Sequence, residues 1–457
     1  MLKRGAEAKE SDKALQKRVE ELLDLFEEIQ SSEEVPEDAL TSFEGNYVRL
    51  PREGKLRLFE GFIHRFEIGR EELQEELEGL LSVTDEDPFS WSRRLSRLRK
   101  RLESPRVKGF RRFVNRSGGL KFLLDFRADL LAAHRQSAMD LEPLDEDIAH
   151  LFNSWFQQGF LFLQEITQDS PYRQILFLKE HDMVHPMARI EEMGDRLGED
   201  RRCFALYHRT MPEEPVVFIE VALTRGIARS IHDIIGEKQS EGSTKGEPDT
   251  AIFYSINNTQ NGLAGLGLGK VLIFQVVDAI KRDRPNIKTF STLSPLTGFW
   301  ERYLKRILQG DDASFVLKRD SLGSYFSEKA KQALKAHFSE VQGSAPEDLS
   351  DLLVEILSDS QWIDDPVYTR LLKKPLQEIA YHYITQEKNR KGKPLNPVAN
   401  FHLGNGASVS IRNVNFGANR SPRGLQDSCG LMVNYVYSRT WLQQIGSTMQ
   451  SLLPWKG

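Results

Sequence analysis

Four glycines, Gly262, Gly265, Gly267 and Gly269, crowd the stretch ahead of Lys270. Glycine accepts positive φ and lets a ligand approach the backbone closely. From Lys270 the apolar residues fall at Val271, Leu272, Phe274, Val276, Val277 and Ile280, a helix face that Arg284-Pro285-Asn286 ends. A helix N-terminus after a glycine-rich turn offers unpaired N–H groups and the positive end of the helix dipole, and so attracts phosphate. Lys270 adds a charge there. The run is not GxxxxGK[ST], because Val271 follows Lys270 and supplies no hydroxyl for Mg²⁺, and it is G-x-G-x-G rather than GxGxxG. The pattern alone also fits a glycine-rich surface turn. Two groups lie downstream. Ser294, ahead of Pro295, puts a hydroxyl where it could face the same ligand, and is equally a strand-end cap. His402, followed by Gly404 and Gly406, carries an imidazole able to deliver a proton near pH 7. Beside Phe401 and Leu403 it also reads as a hydrogen-bonded core residue.

The elements that must position these groups are legible in outline. AIFYSI, residues 251–256, is a short apolar run suited to a buried strand; the glycine turn, the helix and a second strand at 287–293 follow. This order is similar to the coenzyme A pyrophosphate loop of the acetyltransferase (GNAT) superfamily. Further segments make the resemblance specific. They are RRCFALYHRT at 201–210, PVVFIEVALT at 215–224, AIFYSINNTQNGLAGLGLG at 251–269, FSTLSPLTGF at 290–299, NPVANFHLGNGA at 396–407 and SCGLMVNYVY at 428–437. In this order they resemble the malonyl-CoA decarboxylase family, well over residues 180–440 and weakly in the helical half.

That resemblance implies decarboxylation of malonyl-CoA to acetyl-CoA and CO₂ through a thioester enolate. The thioester carbonyl is the electron sink, so no separate cofactor and no metal is expected; coenzyme A is part of the substrate. The protein must hold the coenzyme, take the carboxylate out of water, stabilise the enolate oxygen and protonate the carbon. Carried over residue by residue, the resemblance makes Ser294 and His402 a catalytic pair. No acyl-enzyme is implied, since no G-x-S-x-G elbow is present. Ser255, Tyr435 and His208 match further functional positions; each also has an ordinary reading, as a locally satisfied hydroxyl, a snorkelling phenol and a strand-end histidine. The backbone of Ala264, Gly265, Leu266, Gly267, Leu268, Gly269 and Lys270 would bind pyrophosphate. Where some members carry a glutamate in this turn, this chain has Gly267, and Glu220 is a candidate substitute for the missing carboxylate. Two other classes fit the same loop: an acyl-CoA-dependent N-acyltransferase, and a non-catalytic CoA-binding assembly protein.

Composition sets the frame. A chain of 457 residues exceeds one usual core, so two domains are expected. A formal net charge of −5 argues against general nucleic-acid binding. Cys203 and Cys429 form no disulfide framework or zinc pattern, which fits a reducing compartment. No apolar run reaches membrane-span length, the N-terminus lacks a signal-peptide core and the C-terminus is not an SKL signal. The expected location is cytoplasmic.

The fold class expected is α plus α/β: an all-helical bundle over residues 1–170, then a GNAT-like mixed domain over 171–457 with a helical insertion at about 300–395. The first ten residues read as frayed, helical periodicity runs from Asp12, and 141–166 reads as one long helix. The basic stretch 89–102 is expected to point Trp91, Leu95, Leu98 and Leu102 inward and its arginines to solvent. The bundle carries no obvious chemistry, and the resemblance implies a homo-oligomer, dimer or tetramer, built through it. In the second domain, 201–210 and 215–223 read as a hairpin joined at 211–214, 236–249 as a polar loop, 388–393 as a basic loop, and 398–403 and 407–414 as late strands.

Overall fold

The computed structural model describes residues 12–32, 34, 36–82, 88–137, 139–235 and 247–438. The charged first ten residues and most of the polar 236–249 segment lie outside them. The chain divides into two compact units. One comprises residues 1–162, 206–217 and 258–268; the other comprises 163–205, 218–257 and 269–457.

The first unit is built on helices Asp12–Ser31, Glu37–Val48, Arg52–Arg65, Arg70–Leu81, Pro88–Arg101, Pro105–Val114, Gly119–His134 and Glu142–Trp155. Its core is aromatic. Phe26 meets Phe62 edge-on at 4.6 Å between ring centroids, and Phe62 stacks on Phe110 at 5.4 Å. Such pairs add about 0.5–1.5 kcal/mol each beyond area burial. Two expectations fail here. The segment read as one helix to residue 166 stops at Trp155, and Leu161–Ile166 is a strand. Phe156, buried against Phe152, closes the helix, and the alternation of LFLQEI is too short to show beside it. On the basic helix, Leu98 is buried as expected, but Trp91 and Leu102 are 44% and 50% exposed. This helix pairs with Arg70–Leu81, itself exposing Leu77 and Leu81, so the pair leaves an apolar surface uncovered.

The strands are β1 Leu161–Ile166, β2 Arg201–His208, β3 Met211–Thr224, β4 Thr250–Asn258, β5 Thr289–Thr292, β6 Ser294–Pro295, β7 Ala407–Ser408, β8 Val414–Asn415, β9 Met432–Val433 and β10 Val436–Tyr437. They form a seven-stranded sheet in the order β1-β2-β3-β4-β5-β10-β7 and a three-stranded sheet β6-β9-β8. β4 and β5 are parallel, joined through the glycine turn and the helix Leu268–Asp283, as the periodicity predicts. β10 runs antiparallel to both β5 and β7. The β2–β3 turn is tighter than expected, since β3 already starts at Met211.

Between Trp300 and Thr385 the regular elements of the described chain are all helices, as the amphipathic spacing predicts. Buried Glu387 ties this insertion together by accepting from the Val316 and Leu317 N–H groups at 2.9 and 3.0 Å and from the Tyr303 hydroxyl at 3.1 Å. The basic segment after it is a tight turn closed by a Lys388–Pro394 bridge. The expected strand at 398–403 is instead a helix, Pro397–Gly404. Asn396 caps it by accepting from Ala399 N at 2.9 Å, and Pro397 pre-sets φ in the first turn, so local chemistry overrides the apolar run.

Helix Pro105–Val114 approaches Asp12–Ser31 so closely that a Cβ on Gly109 would stand 2.2 Å from the Phe26 ring. Gly109→Ala should therefore destabilise the protein by about 1–3 kcal/mol in urea denaturation. A change below about 0.5 kcal/mol would show that the aromatic core yields freely.

Candidate active site

The site is assembled where the chain leaves one sheet for the other. β5 ends at Thr292; Ser294 opens β6 and pairs with Val433 of β9. The returning segment 432–437 serves both sheets, with β9 on the small one and β10 beside β5. Asn434 pins the crossing: its amide donates to Thr292 O at 2.6 Å and to Ala228 O at 3.0 Å, and its Oδ1 accepts from Asn415 at 2.7 Å. Tyr435 N donates to Thr292 Oγ1 at 3.1 Å. Asn396 fixes the third element, because its amide also donates to Thr297 O at 3.0 Å, tying the start of helix Pro397–Gly404 to the chain just past Ser294.

These elements bring together Ser294, His402 and Tyr435, as the sequence implies, and add a residue it does not single out, Tyr437. Ser294 Oγ lies 3.2 Å from His402 Nε2, and the Tyr437 hydroxyl lies 2.9 Å from Nδ1. The Tyr435 ring stacks on the imidazole at 4.9 Å and 22°. Its hydroxyl is buried with no hydrogen-bond partner among the described residues. A buried, unsatisfied hydroxyl costs on the order of 1–3 kcal/mol, and the Tyr254 hydroxyl shares this state; Tyr435 differs in lying against the imidazole. The signal for Tyr437 is its spacing: two residues past Tyr435 in an extended run, it falls on the same side.

Burial dominates the electrostatics. His402 is 4% exposed, and desolvation pushes its pKa down to about 3, so the free imidazole is neutral at pH 7. Desolvation likewise holds both the Tyr435 and Tyr437 phenols well above their ordinary value, hence protonated. A neutral imidazole has one donor and one acceptor nitrogen, and hydroxyls on both sides can answer either tautomer.

The glycine turn has the expected form. Gly265 and Gly267 sit at φ +83° and +72°, conformations that an L side chain rarely adopts. The helix begins at Leu268, so the N–H groups of its first turn lack intrahelical acceptors. In the second unit that turn touches the His402 helix: a Cβ on Gly269 would stand 2.2 Å from the Phe401 ring. Within the second unit, the start of helix Leu268–Asp283 and the helix carrying His402 thus meet through Gly269 and Phe401.

Ser255 and His208 are placed elsewhere. Ser255 donates to Asp182 Oδ1 at 3.0 Å and accepts from Asn257 at 2.7 Å, within a buried cluster where Arg196 bridges Asp182 at 2.7 Å and Glu220 at 3.2 Å. Burial, with the Asp182 charge beside it, pushes Glu220 up to about 8, which keeps it mostly neutral at pH 7. Asp182 is held below its usual value: burial opposes ionisation, but the His185 N–H and the Arg196 charge prevail. Glu220's carboxyl is thus committed to Arg196. His208 lies in the helical unit, its ring nitrogens engaged by Trp155 O at 3.0 Å and Thr210 Oγ1 at 2.8 Å. A surface cleft of about 560 Å³ in the same unit, lined by Arg99, Lys100, Glu103, Asp147 and His150 among others, contains none of these residues. Among the described residues no His/Cys/Asp/Glu cluster could hold a metal ion, both cysteines are free and buried, and no helix is long and apolar enough to cross a membrane.

A family model described as the malonyl-CoA decarboxylase C-terminal domain matches residues 159–447, and one described as the N-terminal domain matches 66–156. The mitochondrial malonyl-CoA decarboxylase of Anser anser anser is 34% identical over 339 residues, covering 73% of this chain and 64% of that protein. Its counterpart from Mus musculus is 35% identical over 355 residues, covering 76% and 68%. The chain thus spans about two thirds of the length of these curated relatives, and less than that of the goose protein. Among solved structures, malonyl-CoA decarboxylase from Rhodopseudomonas palustris superposes with a TM-score of 0.74 at 32% identity, over 93% of this chain and 94% of that one. The enzyme from Agrobacterium vitis gives 0.74 at 30% identity over the same shares.

With folded pKa about 3 against an unfolded value near 6.5, the unfolded state binds more protons in that window. The neutral burial of His402 therefore costs nothing above pH 6.5 and destabilises progressively as pH falls towards 3. In ¹⁵N-histidine NMR of the free protein, His402 should stay neutral from pH 5 to 8; a midpoint near 6.5 contradicts the buried site.

Proposed function

We propose that this chain, which belongs to the malonyl-CoA decarboxylase family, converts malonyl-CoA to acetyl-CoA and CO₂ with Ser294, His402, Tyr435 and Tyr437 at the reacting centre. The observation that carries the reading is the water-excluded run of hydroxyl, imidazole and hydroxyl, with the unpartnered Tyr435 phenol stacked on its middle member.

Desolvation holds the free imidazole neutral well below the pH at which a solvated histidine would charge. A malonyl carboxylate brought against it reverses that shift, since an opposite charge at about 4–6 Å favours the charged form. On this reading substrate and proton enter together. Imidazolium then donates from Nδ1 to the Tyr437 oxygen and from Nε2 to Ser294 Oγ. The C–C bond to the carboxylate breaks, its electron pair moves into the thioester as an enolate, and CO₂ leaves. Tyr435 donates to the carboxylate or the enolate oxygen. Ser294 gives its proton to the carbon and takes one from Nε2, leaving neutral imidazole and acetyl-CoA. One proton is consumed and no charge is stranded. The backbone of residues 264–270 holds the pyrophosphate. Ser255 and His208 act through the structure around them, because their hydrogen bonds are already committed.

Pure protein given malonyl-CoA and no amine should release CO₂ and acetyl-CoA in equal amounts; acyl transfer that requires an amine, or CoA binding without turnover, would sink the reading. Ser294→Ala and His402→Ala should each lower kcat by about 10²–10⁴ while CoA affinity stays within about threefold.

Assembly belongs to the same proposal. Leu77, Leu81, Phe89 and Trp91 are 42–79% exposed on the paired helices Arg70–Leu81 and Pro88–Arg101, a surface suited to a second copy. Light scattering should give a dimer or tetramer that Phe89→Glu/Trp91→Glu converts to smaller species; an unchanged mass excludes this surface. Two free, buried thiols suit a reducing compartment, and a cytoplasmic site of action completes the reading.

A further inference from the structure

We infer that Arg127 is a positioning residue for the coenzyme loop, fixing from the helical side which way the loop's peptide groups face. The inference rests on the proposed role of residues 264–270.

Arg127 lies in helix Gly119–His134, amid LKFLLDFRADLLAA, and is 3% exposed. A buried guanidinium must find partners or destabilise the fold. Half of its hydrogen-bonding fork is used on a carboxylate: Nε and Nη2 donate to Asp145 at 2.7 and 3.3 Å. The remaining nitrogen, Nη1, reaches 135 residues along the chain to the Gly262 carbonyl at 2.6 Å, and donates to the Ala264 carbonyl at 3.1 Å.

These two carbonyls open the glycine turn. Across a trans peptide the carbonyl and the next N–H point in opposite directions. Drawing the Ala264 oxygen to Arg127 therefore turns the Gly265 N–H away from it, and Gly265 continues at φ +83°. The Gly262 and Ala264 carbonyl oxygens, which would repel a phosphate, face the guanidinium, and the Gly265 N–H faces away from it. Packing enforces the arrangement independently. A Cβ on Gly262 would stand 2.0 Å from the Leu124 carbonyl, so the turn's backbone rests directly on the backbone of the arginine's own helix. Residues 258–268 accordingly belong to the same compact unit as that helix. Inside the turn, Ala264 N donates to Asn261 O and Leu266 N to Leu263 O, both at 3.2 Å, so an anchored start propagates along the loop. Without Arg127, a turn containing exposed Gly265 and Gly267 would be free to rotate its peptides.

The test compares malonyl-CoA with malonyl-pantetheine, which carries the same thioester and no pyrophosphate. Arg127→Lys keeps the charge but lacks the fork, and cannot hold Asp145 and both carbonyls. It should lower kcat/KM for malonyl-CoA by about tenfold or more, mainly through KM, and weaken coenzyme A binding by the same factor. Turnover of malonyl-pantetheine should stay within about twofold. Equal losses on both substrates, or no loss on either, would overturn the inference, since a merely structural arginine cannot distinguish them. If Arg127→Lys does not fold, Asp145→Asn, which loosens the fork, is judged by the same ratio. If the wild type decarboxylates neither substrate, the functional reading fails separately; the coenzyme A dissociation constant of wild type against variant then decides the inference.

Discussion

Exclusion of water from one imidazole sets the electrostatics around Ser294 and His402 in the second unit. His402 has no counter-charge among its direct partners: a serine, two tyrosines and a phenylalanine surround it. An aspartate on Nδ1 would have fixed a tautomer and kept the ring ready to charge, as in acyl-transfer triads. Two hydroxyls do neither. They can exchange donor and acceptor roles as the ring proton moves, and they leave charging to whatever anion arrives. The cluster at Arg196 is built the other way: the guanidinium pairs with the Asp182 carboxylate and also holds the mostly neutral Glu220 carboxyl, so its hydrogen bonds are committed before any ligand binds.

The backbone around His402 follows the same logic. Strands of two residues contribute little sheet stability alone, so side-chain amides do the joining. Asn434 ties the crossing between sheets, and Asn396 both starts the His402 helix and ties it to Thr297. Each bond to a buried carbonyl satisfies a group that the interrupted ladders leave open. Ser294, His402, Tyr435 and Tyr437 are thereby set on short elements tied to one another.

How much of this the chain discloses depends on distance along it. The 251–299 block is legible because its signals are local: an apolar run, glycines, a change of period, and a chain break. The bundle is legible for the same reason, down to the buried Leu98. Trp91 is not, because helical spacing assigns it to the inner stripe without saying whether anything covers that stripe. The helix Pro397–Gly404 was announced by Asn396-Pro397, a cap followed by a first-turn proline, but the apolar residues after it outweigh that signal in a short window. The Ser294–His402 pair spans 108 residues and the Arg127–Gly262 bond 135, and no periodicity reports such pairings. A lone arginine inside an apolar helix does reveal that a partner exists; it does not reveal which.

The double duty of residues 432–437 also sets an order of assembly during synthesis. Ser291 and Thr292 meet their acceptors Tyr435 and Val433 only after 144 and 141 more residues of separation have been made. At translation speeds of about 5–20 residues per second, that interval is on the order of ten seconds. Throughout it the nascent chain carries β5 and Ser294 without β10 and β9, the strands that pair with them. The centre around Ser294 and His402 therefore cannot close until residues 432–437 have been made and reach it.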